Sequence, residues 1–210
     1  MYIQSVNIAQ PKTIIWNNKE VPTGIFKVPT PKPIFLGTQG VKEDYVADKK
    51  VYGGTFKACY LFSSDHYPYW KNLYPSLNWQ WGMFGENLTV NGFNETQVMV
   101  GDIYKIGEAL VQVTQPREPC FKFGVKFGSQ NVISQFINHG FSGTYVRVIE
   151  EGLVESNDTV KLHHRLNTNL SVAQLYNLIF SKEKDKDLLY TAITCDALPQ
   201  SKRDKFAKYI

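Results

Sequence analysis

Asp102-Ile103-Tyr104-Lys105-Ile106-Gly107-Glu108-Ala109-Leu110-Val111-Gln112-Val113-Thr114 runs without a break into Gln115-Pro116-Arg117-Glu118-Pro119-Cys120-Phe121-Lys122. The first part reads as two strands, 102–106 and 109–114, joined by Gly107-Glu108. A glycine opening a two-residue connection points to a hairpin turn of the II′ kind, because glycine takes positive φ there at no steric cost. The second part cannot extend the ladder, since Pro116 and Pro119 each lack an N–H. The strand is expected to stop there and hold Cys120 at a rim, between the cations Arg117 and Lys122. Positive charge nearby favours a thiolate over a thiol. The thiolate is the form that binds soft metals and attacks electrophiles. The competing reading is the usual fate of a free cysteine, a small buried hydrophobe.

Working outward, most of the chain before residue 165 carries the same β signature. Stretches 2–8, 13–16, 58–62, 144–149 and 159–163 are short, apolar or alternating, and bounded by turn residues. Asn17-Asn18-Lys19 supplies a turn, and Pro22, Pro29, Pro31 and Pro33 exclude a helix between 21 and 34. Helical spacing is confined to 65–74 and 129–138, the latter stopped by Gly140. Many short strands with one or two helices predict a mainly β, α+β fold of barrel type.

Beyond residue 165 the punctuation nearly vanishes. Ser171-Val172-Ala173-Gln174 is a capping box, and Leu170 can staple onto Leu175. Apolar stripes at Val172, Leu175, Leu178 and Ile179, then at Leu188, Leu189, Ala192 and Ile193, predict two amphipathic helices. A third follows Pro199, with Phe206, Tyr209 and Ile210 expected on its apolar side. The division expected is residues 1–164 and 165–210, the second part structural or partner-docking and without direct chemistry.

The 210 residues carry 23 Lys and Arg against 19 Asp and Glu, a net charge of +4, with no basic stripe, which argues against a nucleic-acid partner. Cys59, Cys120 and Cys195 form no CxxC pair, and reduced thiols in a cytoplasmic protein are the expectation. Cys59 and Cys195 are expected to be inert core residues. No signal peptide and no membrane-length apolar run is visible.

Further segments bear on function. They are Thr23-Gly24-Ile25-Phe26-Lys27, Lys49-Lys50-Val51-Tyr52-Gly53-Gly54, Met83-Phe84-Gly85-Glu86-Asn87-Leu88-Thr89-Val90 and the Cys120 segment. Singly, Gly53-Gly54 reads as a plain turn, Lys27 as a surface lysine, and Glu86 and Asn87 as residues satisfying a loop. In this order they resemble the MOSC family, the molybdenum cofactor sulfurase C-terminal type of domain, and most closely its bacterial YiiM branch. Gly40 with Asp44 and Asp48, the run His66, Tyr67, Tyr69 and Trp70, and Val100-Gly101-Asp102 belong to the same resemblance. So do the start at Leu170 and the stretch from Leu198 to Phe206, which are similar to the three-helix domain of that branch. One departure is Tyr52, where the branch usually has histidine, and it bears on substrate range.

The resemblance implies a MOSC-type β-barrel and a molybdenum cofactor of the molybdopterin type. Cys120 is then the metal ligand, and with Arg117 and Lys27 forms the catalytic group. Lys27, Gly53, Gly54, Glu86, Asn87, Arg117 and Lys122 are the implied cofactor-binding residues. The chemistry agrees: molybdenum held by dithiolene sulfurs accepts another soft thiolate, and a pterin phosphate suits the fork of arginine and the point charge of lysine. The implied activity is reduction of N-hydroxylated bases and amidoximes, a detoxification. Electrons would come from a separate, flavin-containing reductase, because no GxGxxG motif, iron–sulfur cysteine cluster or haem motif is present. A homodimer is left open. Two rivals stand beside this: a hydrolase with Cys120 as nucleophile and His66 or His139 as base, and a cofactor carrier or sulfur-transfer protein using Cys120. Zinc is disfavoured, because adjacent His163 and His164 on a strand face opposite sides.

Overall fold

The computed structural model describes residues 1–48 and 53–210. In chain order the strands are β1 (Tyr2–Ile8), β2 (Lys12–Trp16), β3 (Lys19–Thr23), β4 (Val28–Pro29), β5 (Ile34–Gly37), β6 (Gly40–Val41), β7 (Cys59–Ser63), β8 (Leu88–Asn91), β9 (Ile103–Ile106), β10 (Ala109–Pro116), β11 (Thr144–Glu150), β12 (Gly152–Val154) and β13 (Val160–His164). The α-helices are α1 (Tyr67–Leu73), α2 (Phe121–Phe127), α3 (Asn131–His139), α4 (Val172–Phe180), α5 (Lys186–Thr194) and α6 (Gln200–Ala207).

The main sheet has the order β13-β9-β10-β11-β7-β8-β1-β4. Its pairs are antiparallel except β7 with β8. The sheet bends round on itself: Ile3 N–H donates to Asp158 O at 2.8 Å and Val160 N–H to Met1 O at 2.9 Å. These bonds set β1 beside the start of β13 and close a barrel, the architecture expected. Ile3, Val6, Leu61, Leu88, Val111, Val113 and Val146 fill its interior.

The deciding hairpin forms as read, with Ala109 opposite Ile106. Gly107 has φ +51, and a Cβ there would stand 2.6 Å from Leu153 O, so no larger residue fits. Strand β10 continues to Pro116, two residues beyond the expected end. The register shifts between Val113 and Gln115, and Pro116 takes the last pairing position, opposite Thr144. A proline is tolerated there because the ladder needs nothing further from its nitrogen. Every residue of β10 is buried, with the barrel on one side and α4 among the elements in contact with it. Its polar side chains are therefore buried as well, and they find backbone partners: Gln112 Nε2 donates to Gly101 O at 3.0 Å and Thr114 Oγ1 to Phe56 O at 2.8 Å.

Other features depart from expectation as well, among them β3, β5, β8 and β12, which fall in stretches not expected to be strands. Helix α2 begins directly after Cys120, where no helix is expected. Phe123 and Phe127, one turn apart, are its buried face, and Gly128 at φ 69 ends it. Tyr209 and Ile210 are 59% and 60% exposed, since α6 stops at Ala207 before the stripe reaches them.

The C-terminal helices have a core of their own, which includes Leu170, Leu175, Leu178, Leu189 and Phe206. The capping box forms in both directions between Ser171 and Gln174. The unit also packs on the barrel. Val172 belongs to the barrel core, Tyr176 to an aromatic cluster beside it, and Arg165 pairs with Asp102 at 3.0 Å.

Candidate functional site

A cavity of about 150 Å³ opens beside the barrel where β10 ends. Sequence-distant residues meet on its wall: Lys27, Gly53, Asn87, Arg117, Cys120 and Lys122. The polar side is a small network around Asp44. Lys27 forms an ion pair with Asp44 and is 6% exposed. Asp44 also accepts from Ala9 N–H at 2.7 Å and from Asn87 Nδ2 at 2.9 Å. Asn87 Oδ1 in turn accepts from Tyr60 N–H at 3.2 Å. Asn87 therefore orients the counter-charge of Lys27. A buried ion pair needs such supporting bonds to offset its desolvation.

Arg117 forms another wall. It is 6% exposed, and its guanidinium carbon lies 4.7 Å from the Phe123 ring centre, 5.4 Å from Tyr60 and 5.7 Å from Phe136. Its Nη1 has no hydrogen-bond partner among the described residues. Burial works against its charge, but Tyr60, Tyr145 and Cys120 nearby hold its pKa above the ordinary arginine value. Burial pushes the Tyr60 phenol well up, so it stays neutral.

Cys120 is half-buried and immediately precedes α2 in extended backbone, φ −135 and ψ 173. The next residues tie the start of α2 to the β2–β3 hairpin. Phe121 stacks on Trp16 with ring centres 4.9 Å apart, and Lys122 Nζ donates to Pro22 O at 3.0 Å. Further along α2, Lys126 Nζ donates to Ile25 O at 2.9 Å and Gly82 O at 2.7 Å, joining two loops that flank the cavity. Burial, with Arg117 and Lys27 also positive nearby, pushes Lys126 down to about 7.

Some expected site residues lie elsewhere. Glu86 is fully buried and does not line the cavity. It accepts from Tyr67 Oη, from Gly82 N–H at 2.9 Å, from Phe84 N–H at 3.0 Å and from Thr89 Oγ1 at 2.8 Å. It is the buttress of the 82–86 loop, with its lone pairs already used. Gly54, at φ 86, precedes a one-turn 3-10 helix, Thr55–Lys57, and is not part of the wall. Tyr52, the departure from the family pattern, lies outside the described residues. Residues not foreseen at the cavity include Tyr60, Tyr145, Lys57 and Glu118. Only Glu118 had a sequence signal, its place between Arg117 and Cys120.

The proposed bases of the hydrolase reading are not at the thiol. No histidine is among the described residues lining the cavity. His66 Nε2 lies 3.4 Å from Glu95, and His139 stacks on Tyr69 at 4.2 Å. Cys59 and Cys195 are 1% and 5% exposed, and burial pushes both thiols up. No group of three His, Cys, Asp or Glu side chains suited to a metal occurs among the described residues.

Comparison with known proteins bears on this arrangement. The MOSC domain family profile matches residues 48–161, just over half the chain. The chain belongs to the MOSC domain family. Its MOSC relatives include the uncharacterized protein YflK of Bacillus subtilis, 34% identical over 98% of this chain and 93% of that one. A protein named Reductase from Gibberella moniliformis is 31% identical over 87% of this chain, which covers 32% of that longer protein. The crystal structure of YiiM from Geobacillus stearothermophilus superposes with a TM-score of 0.83 at 34% identity, covering 99% of this chain and 97% of that one. No helix among the described residues is long and apolar enough to cross a membrane.

Proposed function

We propose that this MOSC protein is an oxidoreductase that uses a molybdenum cofactor to reduce N-hydroxylated compounds, such as N-hydroxylated purine bases and amidoximes. The observation that carries the reading is the meeting, in one cavity, of the Cys120 thiol with the buried Arg117, whose Nη1 lacks a partner among the described residues. A buried donor left unpaired costs free energy, and an anionic group in the cavity would remove that cost. The residues therefore suit a ligand with a soft metal at one end and negative charge elsewhere. Cys120 would hold the metal, and Arg117 and Lys27 would hold anionic parts of the cofactor. When bound, the cofactor supplies a two-electron couple able to accept oxygen.

The chain's own residues do the rest. Asp44 and Asn87 fix Lys27 in place. The rings around Arg117 exclude water, which strengthens its pull on any anion. The reductase name of one relative favours an enzyme over a cofactor carrier. Electrons are proposed to come from a separate flavin-containing reductase. The test is metal analysis of freshly purified protein, followed by turnover of an amidoxime. About one molybdenum per chain, turnover with a flavin reductase or chemical reductant, and negligible turnover with NADH alone are expected. Absence of molybdenum together with absence of turnover would overturn the reading.

A further inference from the structure

Glu118 lies between Arg117 and Cys120 and lines the cavity. Its carboxylate is ion-paired by Lys202, which comes from α6 in the C-terminal unit. Lys202 and Phe206 are the buried residues of that helix, one turn apart on a single face. Phe206 enters the helical core, whereas Lys202 reaches across to the barrel loop. Lys202 is 9% exposed, and burying a lysine is costly unless it is paired. If that face served only to dock the helices, a leucine would do so without the desolvation penalty. Lys57, also on the cavity wall, feels the same cluster: burial lowers its pKa first, then Lys202, while Glu118 raises it.

The stretch 117–120 has no regular structure of its own between β10 and α2. Apart from the Cys120 carbonyl, which accepts from Phe123 N–H at 2.9 Å, the contacts that hold it are made by side chains. Arg117 is wedged among aromatic rings, and Tyr176 of α4 belongs to that same cluster. Glu118 is fastened to α6. The C-terminal helices thus reach the segment directly through Lys202 and at one remove through Tyr176, whose ring meets Phe136, one of the rings around Arg117.

We propose that Lys202 is a positioning residue of the cavity. By holding Glu118 it sets the segment from Arg117 to Cys120 so that both can engage one ligand, and the helical unit is a working part of the site. This rests on the cavity being the cofactor site, but its test does not require cofactor. Hydrogen–deuterium exchange of cofactor-free protein would be followed over residues 117–122. Lys202→Met keeps most of the stem and removes the charge. It should speed exchange there by about fivefold or more, the equivalent of roughly 1 kcal/mol of local stability. Lys202→Arg should stay close to wild type, and the swapped pair Glu118→Lys with Lys202→Glu should recover most of the protection. Phe206→Leu, which loosens the helical core without touching Glu118, should leave 117–122 unchanged. Unchanged exchange in Lys202→Met, or an equal rise in Phe206→Leu, would overturn the proposal. A wild-type protein that holds no molybdenum would count against the proposed activity, while the exchange result would still decide the role of Lys202.

Discussion

The Arg117 guanidinium carbon sits 4.7 Å from the centre of the Phe123 ring, closer than to the other two rings around it. Phe123 lies on α2, the helix that begins just after Cys120. One helix thus follows the thiol and carries the ring that shelters the cation. The ring restricts the arginine but offers Nη1 no acceptor, and no other described residue supplies one.

Arg117→Met should remove that orphaned donor. Trading this buried cation for an apolar side chain of similar length is expected to leave cofactor-free protein within about 1 kcal/mol of wild type, because relief from desolvation is offset by the lost interactions with Tyr60 and Tyr145. Bound molybdenum should fall sharply in the same variant. Arg117→Lys should also weaken retention, because a point charge does not replace a planar fork. Denaturant titration and metal analysis check both, and a marked loss of stability in Arg117→Met would contradict the argument.

Cys120→Ala should lose molybdenum and reductase activity and keep its fold, with stability within about 0.5 kcal/mol of wild type for a half-exposed side chain. Cys59→Ala and Cys195→Ala should keep molybdenum and lose stability, as small residues removed from packed cores do. Retained molybdenum in Cys120→Ala would remove the cysteine from the metal-ligand role.

Glu86→Gln should behave as a structural lesion. One of its two acceptor oxygens becomes a donor facing groups that themselves donate, at a cost of about 1–3 kcal/mol. The midpoint of thermal unfolding should drop, while KM and kcat of the folded fraction stay near wild type. A kinetic change without loss of stability would return Glu86 to the cofactor site.

Acid should expose His139. Burial, with His66 close by, pushes its pKa down from 6.5 to about 4, although Glu95 opposes this. Between those values the unfolded chain binds a proton that the folded chain declines. Stability is therefore full above the unfolded value and falls as pH drops toward the folded one. The ring is only half-buried, so solvent screening limits the loss to about 1 kcal/mol. His139→Phe should flatten this limb of the pH–stability curve, and an identical curve would refute the assignment.

Local chemistry was the legible part of this sequence. The Gly107 hairpin and the Ser171–Gln174 capping box are written in adjacent residues and form as read. The residues from Arg117 to Cys120 could be singled out because charge, proline and thiol stand together. Glu86 was ambiguous, since a carboxylate in a glycine loop looks the same whether it serves a ligand or the loop. Tyr60 and Tyr145 reach the cavity through strand register, which no local pattern discloses. The pairing of Lys202 with Glu118 joins segments far apart in sequence and had no signal at all. Helix α2 was hidden by the prolines just before it, which mark a helix start as readily as a loop.

The cavity wall is drawn from segments near residues 27, 87 and 120, and the barrel closes only when Ile3 meets Asp158. A ligand gripping Lys27 and Cys120 at once would fasten distant parts of the chain to each other, much as a crosslink does. It would favour only the completed fold and add stability by mass action. Cofactor escape and global unfolding would then share a barrier, and the loaded protein would be marked by slow inactivation on heating.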